Sequence, residues 1–360
     1  MHRLLLLLAL FVASPALATT DWKAQAKQQD VVLKDFRFGT GEVMDVRIHV
    51  TTLGTPHRDA KERIDNAVMV LHGTGGSGAQ FFRPQFADEL YGSGQPLDLA
   101  KTYVILPDNL GHGGSSKPSD GLRMAFPRYD YADMVAAQKR MLEEGLGVRS
   151  LRLILGTSMG CMHAFVWGES YPGFAQRLAP FACNTVEIAG RNRMWRKLAI
   201  DTIMEAPEWQ GGNYAANPAR PMRTVADLLL MAGSSPLAWQ SDYPTRTSAE
   251  DFLAKSRAAT AAAGYPDAND TIYQFDSSRN YNPAPMLEKI RVPVLWINSA
   301  DDFINPPELG DPAALAKRMP LARFVLIPAG ADTKGHGTHT WARFWKDDLA
   351  KLLAQPVAGN

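Results

Sequence analysis

The apolar positions of this chain fall into short runs separated by longer amphipathic stretches. Val31 to Phe38 and Val43 to Thr51 read as a leading hairpin. Ala67 to Leu71, Tyr103 to Leu106 and Leu151 to Leu155 are apolar throughout, without period-two alternation, which is the pattern of parallel strands covered on both faces. Helical patterns lie between them, at Gln80 to Leu90, Tyr131 to Glu144 and Met159 to Tyr171. Further apolar runs at Leu178 to Ala182, Val292 to Ile297 and Phe324 to Ile327, and a helix from Trp341 to about Leu353, complete the alternation. Such a rhythm predicts an α/β fold, a mostly parallel, doubly wound sheet with helices on both faces.

The rhythm breaks between Glu187 and Pro285. That stretch holds Trp195, Trp209 and Trp239, a Gly211-Gly212 turn and helical patterns at Met194 to Met204 and Thr224 to Met231, but no clear buried strand. We read it as a helical cap inserted at about 187–285; the alternative is an independent second domain, which a hundred or so residues would permit. Because the chain returns from this stretch into sheet strands, insertion is the better account.

The 360 residues are 46% hydrophobic and 21% charged, enough to bury a full core. A formal net charge of +1 supplies no broad attraction to nucleic acid or to an anionic membrane. At the N-terminus, Arg3, the apolar run Leu4 to Val12 and the small residues Ala16-Leu17-Ala18 have the order of a signal peptide, residues 1–18. A retained anchor is the rival reading, but about nine apolar residues fall short of roughly 30 Å of hydrocarbon. The expectation is a mature chain of residues 19–360, periplasmic or secreted, with no stable membrane anchor. Cys161 and Cys183 could pair in such a compartment, but their apolar surroundings favour two free buried thiols.

The sharpest chemical signal is Gly156-Thr157-Ser158-Met159-Gly160, a G-x-S-x-G motif between an apolar strand and a helix. The turn is so tight that glycines must flank the serine, and the helix N-terminus directs free N–H groups toward a developing oxyanion. Without that context the motif would be a plain glycine-rich turn. A serine hydroxyl needs a base, itself oriented by an acid, and behind such an elbow the order along the chain is serine, acid, histidine. Asp302, three residues before Asn305-Pro306 closes its loop, is the preferred acid and Asp301 the rival. His336, between Gly335 and Gly337, is the preferred base and His339 the rival. The loop Leu71 to Gly78 offers the remaining electrophile, so Thr74 and Met159 are the expected oxyanion donors through their backbone N–H groups. His72 reads as a loop brace. Neither phosphate-loop pattern is matched and no His/Cys cluster has zinc spacing, so no cofactor or metal is expected.

These motifs, with Asp108-Asn109-Leu110-Gly111-His112-Gly113-Gly114-Ser115, resemble the α/β-hydrolase superfamily across about residues 31 to 355. Leu198-Ala199-Ile200, followed by Trp209, Gly212 and Tyr214, is similar to the homoserine O-acetyltransferase branch, whose members pass an acetyl group from acetyl-CoA to a hydroxyl through an acyl-serine. The chain departs from that branch at Cys161, where a glycine is usual, and at Gly337, where an aspartate is usual. The resemblance implies a small-molecule acyl substrate. Export would remove the protein from cytosolic acyl-CoA, so water is the expected acceptor, with transfer to a small alcohol as the alternative and a non-catalytic ligand-binding member of the fold as the second. No concentrated Lys/Arg cluster is evident near the elbow, the Thr74 loop or the His336 loop; Arg191, Arg193 and Arg196 are the exceptions to watch.

Overall fold

A computed structural model describes residues 20–356. The leader segment, residues 1–18, lies outside the described residues. Among the described residues eight strands form one sheet: β1 (Lys27–Arg37), β2 (Val43–Leu53), β3 (Ala67–Leu71), β4 (Tyr103–Pro107), β5 (Leu153–Thr157), β6 (Leu178–Phe181), β7 (Val294–Ser299) and β8 (Ala322–Ile327). Their order is β1-β2-β4-β3-β5-β6-β7-β8. The β1–β2 and β2–β4 pairs are antiparallel and the pairs from β4 through β8 are parallel. Every residue of β3, β4, β5 and β7 is buried, as an unbroken apolar run requires when both faces are covered.

Among the described residues the α-helices are α1 (Pro84–Leu90), α2 (Tyr131–Arg140), α3 (Met159–Ser170), α4 (Gly190–Met204), α5 (Ala219–Ala232), α6 (Pro236–Asp242), α7 (Arg246–Ala263), α8 (Ala268–Asp276), α9 (Pro312–Ala316) and α10 (Lys346–Ala354). One face of the sheet packs Met69, Ile105, Ile154 and Trp296 against Met134 and Phe165 of α2 and α3. The other packs Val70, Leu155 and Ile297 against Phe86, Trp345 and Leu349, from α1, α10 and the turn before α10. Helix α2 is launched by a capping box in which Asp130 accepts from the Ala132 and Asp133 backbones while Asp133 accepts from Asp130 N–H.

Between β6 and β7 the chain forms α4 to α8 and no strand. These helices share their own core, with Trp195, Ile200, Trp209, Met222 and Phe275 buried together. Helix α8 ties them to the sheet domain: Asp270 accepts from Ser119 N at 2.8 Å, and Gln274 Nε2 donates to Gly111 O at 2.9 Å.

Three sequence expectations shift. The helix expected from Gln80 begins only at Pro84, because Arg83 before the proline is extended, with ψ 137°. The helix expected from Trp341 begins at Lys346, since Gly335–Thr340 and Ala342–Phe344 turn as short 3-10 segments. Most consequentially, Cys161 and Cys183 are not free thiols: they form a disulfide with Cα atoms 5.8 Å apart. Strand β6 lies beside β5, so the residue two positions past its end meets the first turn of α3, a proximity set by strand pairing rather than by any local pattern.

Candidate functional site

Strand β5 ends at Thr157 and α3 begins at Met159, leaving Ser158 alone in the turn at φ 56° and ψ −113°. A non-glycine residue held there stores strain of about 1–3 kcal/mol, and the surroundings maintain it. Ser158 N–H donates to Phe181 O at 2.9 Å, and its C=O accepts from Met162 N at 3.1 Å. The glycines are dictated by close approach. A Cβ on Gly156 would stand 1.9 Å from Gly160 O, and one on Gly160 would stand 2.2 Å from Leu71 O.

His336 reaches this serine from the turn after β8. Its Nε2 lies 2.8 Å from Ser158 Oγ and its Nδ1 lies 2.8 Å from Asp302 Oδ2. Asp302 is fully enclosed, and its other oxygen accepts from Ile304 N at 2.8 Å and Asn305 N at 3.0 Å. With one oxygen thus occupied by the backbone, the second is aimed at the imidazole. Nδ1–H donates to it, which leaves Nε2 to accept the Ser158 hydroxyl proton. The sequence-predicted Ser158, His336 and Asp302 therefore meet in one hydrogen-bonded line.

The two rivals sit elsewhere. Asp301 accepts from Thr333 Oγ1 at 2.7 Å and from Gly335 N at 3.2 Å, so it braces the turn that carries His336. Burial pushes its carboxyl up, but hydrogen bonds from Ser299, Ser235 and Thr333 outweigh that and hold it below the usual range. His339 stands with its ring 5.1 Å from that of His336. Burial, then His336 and Arg83, keep it neutral, well below the ordinary histidine value.

On the opposite side, Gly73 approaches so closely that a Cβ there would be 3.2 Å from Ser158 Cβ. His72 fixes this loop: Nδ1–H donates to Gly73 O at 2.8 Å and Nε2 accepts from Asn109 N at 2.9 Å. Burial lowers its pKa, so the ring keeps the neutral form that this bridge needs. Thr74 follows in the loop, and Met159 opens α3. Among the described residues neither of their backbone N–H groups donates to a protein acceptor.

Ser158, His336, Gly73 and Thr74 line a cavity of about 670 Å³ whose far wall comes from α4, α5 and α7. Here the sequence reading missed something: Arg83, Arg196 and Arg223 all border the cavity. Of the three, only Arg196 stands out in the sequence. Arg83 precedes α1 and Arg223 lies on α5, so no linear cluster announces them; folding brings them to the lining of one cavity. Gln80, also in the lining, donates to Thr157 Oγ1 at 3.2 Å and was equally silent in the sequence.

The comparisons with known proteins agree with this fold. A family model described as alpha/beta hydrolase fold matches residues 66–333. A probable acyltransferase of Methanothermobacter thermautotrophicus is 29% identical over 298 residues, covering 82% of this chain and 88% of that protein. Homoserine O-acetyltransferase from Bacillus anthracis superposes with a TM-score of 0.80 at 18% identity, over 93% of this chain and 99% of that one. An acetylester hydrolase from Corynebacterium glutamicum superposes with a TM-score of 0.77 at 20% identity, over 91% and 96%.

Proposed function

The chain belongs to the α/β-hydrolase family, and from that premise we propose that it is an exported serine hydrolase that cleaves an ester-like substrate through an acyl-serine. The carrying observation is the Ser158–His336–Asp302 line, with both contacts at 2.8 Å. As Ser158 Oγ attacks the carbonyl carbon, its proton passes to His336 Nε2, while Asp302 stabilises the imidazolium through Nδ1–H. The carbonyl oxygen gains charge and accepts from the Thr74 and Met159 N–H groups. Collapse expels the alcohol, which takes the proton from His336. Water then repeats the sequence on the acyl-serine, giving the free acid and regenerating Ser158.

Export is supported by the leader pattern of Arg3, Leu4 to Val12 and Ala16 to Ala18, and by the disulfide, a bond that persists in oxidising compartments. In such a compartment a charged cytosolic acyl-CoA is not at hand, and water is the acceptor. The arginines of the cavity wall mean that a lack of basic side chains no longer speaks against an anionic acyl donor. Together with the relative named as a probable acyltransferase, they make transfer to a small alcohol the second reading.

A fluorophosphonate should label the wild-type protein and leave Ser158→Ala unlabelled, since labelling needs an activated hydroxyl. Incubation with acetyl-CoA and homoserine should release free acetate slowly and yield no O-acetylhomoserine, whereas short-chain aryl esters are hydrolysed at a rate that homoserine leaves unchanged. Saturable formation of O-acetylhomoserine would replace the hydrolase by the transferase. Equal labelling of both proteins would remove Ser158 from the chemistry.

A further inference from the structure

The charge carried by the cavity wall indicates which esters the site accepts. Arg196 on α4 is 2% exposed, yet it borders the same cavity as Ser158. Its Nε donates to Asn192 Oδ1 at 2.9 Å, and its guanidinium carbon lies 4.8 Å from the centre of the Trp195 ring. Its Nη1 is buried with no partner, and no described carboxylate pairs with the group. Thr74 Oγ1 and the Tyr131 hydroxyl are likewise buried without a partner at hydrogen-bond distance; the Tyr131 hydroxyl lies behind the cavity lining and faces Thr74, Ser278 and Arg196. An indole face and an amide oxygen do not neutralise a guanidinium out of water, and a buried charge left unpaired is strongly unfavourable.

The rest of the lining has the same sign. Arg83 and Arg223 stand exposed at the rim. Asp227, the one carboxylate among the described lining residues, is taken by Arg257 at 2.7 Å. His339 is neutral through burial, and Asp302 is committed to His336 and two backbone N–H groups. The cavity therefore offers an anion a desolvated guanidinium beside the Thr74 hydroxyl, and offers an ammonium group no free acceptor of opposite charge.

We propose that Arg196, with Thr74 and with the Tyr131 hydroxyl behind them, forms a carboxylate-binding subsite beside Ser158, so that the preferred substrates are esters bearing a carboxylate and no ammonium group. This rests on the acyl-serine reading above and names its substrate class. The pairing is Arg196 Nη1–H to a carboxylate oxygen, supported by the Thr74 hydroxyl, and it is strong because the guanidinium is buried. It disfavours zwitterionic amino-acid esters, whose ammonium group would be buried among cations.

Three small acetates separate the possibilities: 3-acetoxypropanoate, its neutral amide, and O-acetylserine, which differs from the first by one ammonium group. With the full-length protein, acetate release should show kcat/KM for 3-acetoxypropanoate higher than for the other two by about tenfold or more, the scale on which one desolvated polar contact discriminates. In Arg196→Gln the ratio of anion to amide should fall toward one, with Arg196→Lys intermediate. Since a change at a buried arginine can compromise folding, the wild-type ratios decide by themselves. Equal rates for anion and amide, a preference for O-acetylserine, or a ratio that survives in a folded Arg196→Gln would each overturn the subsite. Calorimetric titration of Ser158→Ala with the same anion and amide reads binding without turnover. Preferential binding there, alongside a wild type that neither hydrolyses esters nor takes up a fluorophosphonate, would keep the subsite and reject the acyl-serine. Chloride accelerating turnover of the amide without competing with the anion would put a free inorganic ion at Arg196 in place of the substrate, and would also overturn the proposal.

Discussion

Asp301 and Asp302 are neighbours in the chain with different tasks. Asp302 has no exposed side-chain surface, and its second oxygen reaches His336. Asp301 is spent on Thr333 and the Gly335 backbone, one residue before the histidine. Asp302→Asn puts an amide where an acceptor oxygen is needed, favouring the wrong imidazole tautomer, and kcat should fall by about 10⁴ as in comparable triads. Asp301→Asn weakens a brace, so it should cost far less in kcat and show instead as a lowered melting temperature. His336→Ala should match the first change and His339→Ala should be much milder. Steady-state kinetics beside thermal denaturation separate these outcomes, and a crippled Asp301→Asn with an active Asp302→Asn would reverse the assignment.

At the scale of elements, the decisive unit is the junction of β3, β5 and α3. Gly160 lies where the first turn of α3 passes the carbonyl of Leu71, and the elbow closes only because both Gly156 and Gly160 lack a Cβ. Gly160→Ala would gain helix propensity in isolation, but its Cβ would meet backbone at 2.2 Å, which cannot move aside like a flexible side chain. Overpacking typically costs about 1–3 kcal/mol, so this substitution should lower the denaturation midpoint. It should also reduce esterase turnover, because the displaced helix carries the Met159 N–H. A stable and fully active Gly160→Ala would mean that the elbow has more room than this packing allows.

At the scale of the molecule, the disulfide joins the first turn of α3 to the segment leaving β6 for α4, across a sequence separation of 22. It links the element that positions the nucleophile to the root of the helical segment that walls the cavity. Closing a loop of this size restricts the unfolded chain by about 3 kcal/mol in the loop-entropy account. The double variant Cys161→Ala, Cys183→Ala should therefore melt several degrees lower than the oxidised protein. A reductant should bring the wild type down toward the variant and leave the variant itself unmoved. Coincident melting curves for oxidised, reduced and variant protein would show that the bond contributes nothing to the folded state.

The sequence determined what local periodicity and steric demand can specify. The apolar runs located the strands, the uncovered stretch after residue 187 located the helices between β6 and β7, and the glycines around Ser158, with Asp302 and His336 in their loops, marked the site because a tight elbow and close approaches restrict which residues fit. The tertiary structure decided what depends on which distant segments become neighbours. Pairing of β5 with β6 brought Cys161 to Cys183, and the packing of α4 and α5 over the carboxyl end of the sheet brought Arg196 and Arg223 into the lining of the cavity that Arg83 also borders. Periodicity reports which face of an element is apolar, whereas proximity across the fold is fixed only when all the faces have found their partners.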